Sequence, residues 1–334
     1  MSGVRVLVVD RELAEAAQVA GRGFPNLEVM APGDHEPASD MAARADAIVA
    51  YGAQVDANVL AHVRALRLIL KLGRVYDNID LDAVRACGVP LGLVPRLGAG
   101  KVAELALTLI LALSKNLLAA HRDVARGAYR RLGLEPAKTS QRVIAFRWMK
   151  PTRLHEVSGK TLGCVGFGEI GCELSMRAQP LGMRVLYTRR RPLPARLEAS
   201  HAVTYRPLDE LMEESDYVSV AVPYTDQTHH LIGAEQLRRL GPDGFLVNVA
   251  RGGVVDEQAL VEALRGGVIA GAGLDVFAYE PLPADSPLCT LDNVILTPHI
   301  GGGTGSSREG ELAEALREVA RVLDGAPMGH PIVI

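Results

Sequence analysis

Directly after the apolar run Thr161–Gly166, the chain reads Gly166-Phe167-Gly168-Glu169-Ile170-Gly171 and then continues in a helical pattern. That placement constrains the fold more than any other feature. In a G-x-G-x-x-G text between strand and helix, the first glycine permits a tight turn and the second lets the backbone approach a phosphate. The third allows close helix–strand packing, and the helix N-terminus faces the phosphate charge. Dinucleotide binding on a parallel α/β sheet is the first expectation, against the alternative of a merely structural glycine turn.

The rest of the chain keeps the same rhythm. Apolar runs at Val4–Asp10, Ala47–Ala50, Leu66–Leu72 and Val89–Val94 alternate with helical segments, which predicts a mainly parallel sheet. Six further runs, Thr161–Gly166, Arg184–Thr188, Tyr217–Val222, Phe245–Val249, Gly271–Val276 and Val294–Leu296, complete a doubly wound dinucleotide domain. A length of 334 residues exceeds what one core usually holds. The expected architecture is therefore a Rossmann-type doubly wound parallel sheet inserted in a smaller flavodoxin-like α/β substrate domain.

Domain limits follow from the connecting segments. Lys101–Ala119 is apolar on nearly every side, as a helix packed between two bodies would be, and Ser306–Leu323 is amphipathic and leads back toward the first domain. Residues 1–99 and 300–334 are thus read as the substrate-binding domain and 100–299 as the dinucleotide-binding domain. Between 121 and 158 the rhythm breaks into a stretch rich in Arg and Lys that holds Phe146 and the only tryptophan, Trp148. Exposing those rings is costly, so this is read as a dimerisation arm of a homodimer, with a surface insertion as the alternative.

Composition narrows the function. Hydrophobic residues at 48% and charged residues at 22% fit a packed globular chain. A net charge of -3 gives no global basic field, which argues against nucleic acid as a partner. Cys87, Cys164, Cys172 and Cys289 form no CxxC or Cys/His pattern, so no metal is expected. The apolar stretch around Leu105–Leu113 is short for a bilayer, and the N-terminus carries no secretory pattern; cytoplasmic residence without a membrane partner is the default expectation.

At the end of the second strand of the dinucleotide domain stands Leu186-Tyr187-Thr188-Arg189-Arg190-Arg191. A fold selective for NAD places a carboxylate here, about 20 positions beyond the glycines, to accept from the ribose 2′-OH. Guanidinium groups instead pair with a 2′-phosphate. NADP(H) is therefore favoured, with NAD(H) possible if the arginines are simply solvated; Arg191, next to Pro192, fits that role.

Three texts then follow at strand ends: Asn248-Val249-Ala250-Arg251-Gly252-Gly253, Leu274-Asp275-Val276-Phe277-Ala278-Tyr279-Glu280-Pro281, and Leu296-Thr297-Pro298-His299-Ile300-Gly301. Ligands of open α/β sheets bind at that edge, so Arg251, Glu280 and His299 are expected to converge beside the nicotinamide. Taken singly, each has a structural reading as a surface charge, a turn residue or a core histidine.

With these texts in place, the chain resembles the D-isomer-specific 2-hydroxyacid dehydrogenases over nearly its whole length, from Asp77-Asn78-Ile79-Asp80 and Val102-Ala103-Glu104 through the glycine motif to His299. The resemblance implies hydride transfer between the nicotinamide and a small 2-oxo or 2-hydroxy acid. It implies that Arg251 binds the substrate carboxylate, that His299 is the acid/base, and that Glu280 orients the imidazole. Implied cofactor contacts are Gly166, Gly168, Glu169, Ile170, Gly171, Arg189, Arg190, Pro223, Val249, Ala250, Asp275 and Gly301. For Asp275 a structural hydrogen bond, and for Pro223 a strand terminator, are the competing readings.

The family's substrate loop, usually Gly-Val-Gly-x-Asp-Asn, here reads Gly73-Arg74-Val75-Tyr76-Asp77-Asn78, and Lys101 replaces a small hydroxyl residue. Arg74, Val75, Tyr76 and Lys101 are the expected substrate contacts beside Arg251. The two added cations suggest a second acidic group on the substrate unless they turn outward. Rival functions are a formate- or phosphite-type oxidoreductase, disfavoured because the formate branch has glutamine where Glu280 stands, and a nicotinamide-sensing corepressor on the same fold.

Overall fold

The computed structural model describes residues 3–33, 36–136, 138, 154–303 and 307–333. Of the expected arm at 121–158, residue 137 and residues 139–153, Phe146 and Trp148 among them, lie outside the described residues. The chain divides into two compact units, Met1–Gly100 with Gly302–Ile334, and Lys101–Gly301.

The first unit is built on β1 (Val4–Val8), β2 (Leu27–Met30), β3 (Ala47–Ala50), β4 (Leu68–Leu72) and β5 (Leu91–Val94). Strands β3, β4 and β5 are buried along their full lengths, as continuous aliphatic runs covered on both faces should be. One cover is the helix Arg308–Leu323, which turns Leu312, Ala315, Leu316 and Val319 inward at helical spacing beside Val6, Val49 and Leu70. Its start is capped by the Ser307 side chain, which accepts the Gly310 N–H.

The second unit carries β6 (Thr161–Val165), β7 (Arg184–Thr188), β8 (Val203–Tyr205), β9 (Tyr217–Val220), β10 (Phe245–Asn248), β11 (Gly271–Leu274) and β12 (Val294–Leu296). All are parallel, in the order β12-β11-β10-β9-β6-β7-β8. The order reverses between β6 and β9, the topological switch point where doubly wound sheets open a crevice. Asn248 pairs with Leu274 and Leu274 with Leu296, so the three catalytic texts leave the sheet at one level. The chain then returns to the first unit and adds β13 (Pro331–Ile332) antiparallel to β5, giving that sheet the order β13-β5-β4-β3-β1-β2. Its parallel strands thus run 2-1-3-4-5, the flavodoxin-like order.

The structure adds strands that the apolar runs do not announce. β8 has three residues and only Val203 is buried; β2 is half-buried and β13 has two residues. The run Lys101–Ala119 is also two helices, Leu97–Ser114 and Leu117–Ala125, separated by Asn116 in the left-handed region at φ 48°. The first spans 18 residues and is long and apolar enough by composition to cross a membrane, more than the stretch Leu105–Leu113 suggests. Within the second unit it is a core helix: Ala103, Ala106 and Ile110 are fully buried, and Leu109 lies against Gly273 of β11.

Candidate active site

At the glycine turn, two kinds of glycine are distinguishable. Gly166 has φ +96°, and a β-carbon there would stand 2.7 Å from the Ala221 carbonyl oxygen. One at Gly171 would meet the Gly166 oxygen at 2.5 Å. Both are excluded by packing. Gly168 is exposed, and a β-carbon there would meet nothing within 4 Å. It stands just before the helix Glu169–Ala178, so uncovered backbone faces open space at a helix N-terminus, an arrangement suited to a pyrophosphate. Glu169 and Ile170 are half-buried in that first turn.

The loop after β7 holds Arg189, half-buried, and Arg190, exposed. No carboxylate occurs between Tyr187 and Leu193. Pro223 is exposed after β9, whereas Val249 and Ala250 are buried at the end of β10.

Arg251 emerges from β10 in extended conformation (φ -145°, ψ 148°) and is exposed. Its backbone is tied down by Asn248, whose side chain donates to the Arg251 carbonyl at 3.1 Å and accepts the Ala250 N–H at 3.1 Å. The next residue has no room for a side chain. A β-carbon on Gly252 would stand 1.9 Å from the carbonyl carbon of Phe277, so the turn bearing Arg251 lies directly on the loop bearing Glu280. That loop is fixed at two further points: the Phe277 N–H donates to Glu280 Oε1 at 3.1 Å, and the Ala278 N–H to Glu257 at 3.1 Å.

His299 Nδ1 and Glu280 Oε2 are 2.6 Å apart. An ionised carboxylate can only accept, so Nδ1 carries the proton and Nε2 is left for chemistry. Burial opposes ionisation of Glu280. The bond from His299, the Phe277 N–H and the charges of His299 and Arg251 outweigh it, and the carboxyl is held below its ordinary value. His299 has φ 54°, the left-handed region. Its N–H closes a tight turn onto the Thr297 carbonyl at 3.0 Å across Pro298.

Asp275 supports that turn. It is 2% exposed, and its carboxylate accepts the Thr297 hydroxyl at 2.6 Å, the Ile300 N–H at 2.9 Å and the Gly301 N–H at 2.8 Å. These bonds give Asp275 the structural role that was one of its two readings. Gly301 is needed there because a β-carbon would crowd Asp275 Oδ2 at 2.9 Å.

In the first unit, Val75 and Tyr76 are 7% and 6% exposed, so their side chains are packed and only backbone could face a ligand. Arg74 is half-buried, as is Lys101 in its helix. Residues outside the sequence motifs gather at the same sheet edge. Asp10, two residues beyond the end of β1, accepts the N–H groups of Tyr51, Gly52 and Ala53 at 2.6, 2.6 and 2.7 Å. Lys71 and Arg96 lie 5.6 and 4.6 Å from the Tyr51 ring centroid, and Arg96 donates to the Tyr51 hydroxyl at 2.8 Å and to Glu311 at 2.9 Å. The only sequence sign of Asp10 was an acid closing the first apolar run.

The sheet order, glycine turn and His–Glu pair define a dinucleotide-dependent oxidoreductase. Residues 107–301 match the family described as D-isomer specific 2-hydroxyacid dehydrogenase, NAD binding domain. The chain is 40% identical to a glyoxylate reductase of Thermococcus onnurineus, over 81% of this chain and 78% of that one. It is 38% identical to a glyoxylate/hydroxypyruvate reductase B of Pectobacterium carotovorum, over 85% and 84%. Among solved structures, the apo D-mandelate dehydrogenase of Rhodotorula graminis aligns over 100% of this chain and 98% of its own, at 27% identity and TM-score 0.56. The protein belongs to the D-isomer-specific 2-hydroxyacid dehydrogenases. It uses a nicotinamide cofactor to transfer hydride to or from a 2-oxo/2-hydroxy acid.

Proposed function

We propose that the protein is an NADP(H)-dependent reductase of short 2-oxo acids, glyoxylate and hydroxypyruvate among them, yielding D-2-hydroxy acids. The observation that carries the reading is the 2.6 Å contact between His299 Nδ1 and Glu280. It orients a protonated imidazole whose Nε2–H can be given to a substrate oxygen. Arg251 pairs its planar fork with the substrate carboxylate and draws electron density from the 2-oxo group. The nicotinamide, when bound, supplies the hydride to carbon 2. As that bond forms, the carbonyl π-pair moves onto oxygen and takes the Nε2 proton, and Glu280 balances the charge on His299 until the ring is reprotonated. Oxidation runs the same steps in reverse.

Support for NADP(H) comes from the arginines after β7 and the absence of a carboxylate there. Residues 100–299 would hold the cofactor, and residues 1–99 with 300–334 the remainder of the acid. The exposed side chains of Leu117 and Leu118 just before the expected arm, and of Val124, Leu132, Leu134 and Leu154 within it, support a homodimer. Free thiols at Cys87, Cys164, Cys172 and Cys289 suit a reducing, cytoplasmic setting.

The test is consumption of NADPH or NADH by purified protein with a panel of 2-oxo acids. His299→Ala should lower turnover by about 10²–10⁴-fold while cofactor affinity stays nearly intact. Cofactor binding without consumption by the wild type would favour a sensor instead.

A further inference from the structure

One fully buried side chain joins the glycine turn to the arginine loop. The Tyr187 ring, on β7, packs against Phe167, the residue between the first two motif glycines, with centroids 4.8 Å apart and planes inclined by 46°. Its hydroxyl accepts the Leu193 N–H at 2.7 Å and donates to Glu198 Oε1 at 2.8 Å. That same oxygen accepts the Tyr205 N–H of β8 at 3.2 Å. Burial raises the phenol far above its ordinary value, and although the Leu193 N–H opposes this, the hydroxyl keeps its proton and can serve both partners. At the near end of the loop, the Gly166 N–H donates to the Thr188 carbonyl at 3.0 Å. Leu193, 4% exposed, anchors the far end. The residues arched between the two anchors are Arg189, Arg190, Arg191 and Pro192.

We infer that Tyr187 is a positioning residue for cofactor selection: through Leu193 and Glu198 it holds the arginine loop in the arch that presents guanidinium groups to a 2′-phosphate. The phenol touches no cofactor atom in this role. It fixes where flexible arginines begin and end, reducing the ordering that phosphate binding would otherwise require. NADH lacks the 2′-phosphate and draws little from the arch. The inference rests on the NADP(H) reading above.

The experiment measures NADPH and NADH dissociation constants, by calorimetry and without substrate, for wild type, Tyr187→Phe, Glu198→Gln and Glu198→Ala. Tyr187→Phe keeps the ring against Phe167 and removes only the hydroxyl. It should weaken NADPH by about tenfold, the size of one or two lost buried hydrogen bonds, and change NADH by less than about threefold. Glu198→Ala, which leaves the buried ring in place, should shift the ratio in the same direction. Glu198→Gln, which retains an acceptor oxygen, should stay close to wild type. Equal weakening of both cofactors would mark a purely structural residue and overturn the inference. So would an unchanged ratio in Tyr187→Phe and Glu198→Ala. A wild type that binds NADH as well as NADPH would overturn the NADP(H) reading and this inference together, whereas a wild-type preference that survives both variants would remove only the role of Tyr187.

Discussion

Asp275 holds the Thr297 hydroxyl at 2.6 Å, and with it the turn on which His299 is set. Both carboxylate oxygens also accept backbone N–H groups, from Ile300 on one and Gly301 on the other. An amide at this position must point its NH2 at one of those donors. Asp275→Asn should therefore destabilise the protein by about 1–3 kcal/mol, the cost of leaving a buried donor unpaired. Calorimetric melting should show the loss, and turnover should fall with it. A variant that melts with the wild type would mean the turn is held by other contacts.

Gly252 tolerates no side chain because its β-carbon would overlap the Phe277 carbonyl. Relieving that overlap must separate Arg251 from the Glu280 loop. Gly252→Ala should cost about 1–3 kcal/mol of stability. Turnover should fall by about 10²-fold, as expected for misplaced catalytic groups. NADPH affinity measured without substrate should change much less, since the glycine turn at Gly166–Gly171 is elsewhere on the sheet edge.

Glu280 gives a pH dependence of definite sign. Its carboxyl is held below the ordinary value of 4.5 in the folded protein. The stability it adds is complete above that value and is lost as pH falls through the lowered folded value. Melting temperatures of wild type and Glu280→Gln, followed downward from neutral pH, should keep a steady gap until the acid range and then converge. A gap that stays constant through the acid range would contradict this linkage.

Asp10 predicts an effect confined to the first unit. Removing the carboxylate in Asp10→Ala strips the acceptor from three successive N–H groups, those of Tyr51, Gly52 and Ala53. A loss of roughly 1–3 kcal/mol should follow. Hydrogen exchange should quicken at these three amides while β6 to β12 keep their protection. Quickened exchange across the second sheet would show that the damage spreads.

Arg74 tests the breadth of the substrate. If it meets a second acidic group, Arg74→Ala should raise KM for an oxo-dicarboxylate by about tenfold or more, the worth of a charge-assisted hydrogen bond, and leave KM for glyoxylate little changed. An equal rise for both acids would exclude that role.

Much of the fold was legible because long strands buried on both faces read as uninterrupted aliphatic runs. Ile48, Ile69 and Leu246 sit in such runs, and each is fully buried. Short edge strands such as β8 give no such signal, since one face and one rim meet solvent. The contact of His299 with Glu280 was legible from strand-end position, because parallel strands in register bring their C-terminal ends to one edge. The packing of Gly252 on Phe277 was not. Nothing in a Gly-Gly pair tells whether the missing side chain makes room for a turn, a ligand or another backbone. Asp275 was ambiguous for a related reason: its partners are backbone N–H groups, which every residue carries.

The helix Leu97–Ser114 has a consequence during synthesis. Leu109 finds its cover on Gly273 of β11, which leaves the ribosome far later than the helix does. At about 5–20 residues per second, the apolar helix is exposed for on the order of ten seconds or more before β11 exists. Throughout that interval the nascent chain displays a segment with the length and hydropathy of a membrane anchor. Until β11 is made, Leu109 lacks the cover that Gly273 gives it in the finished fold.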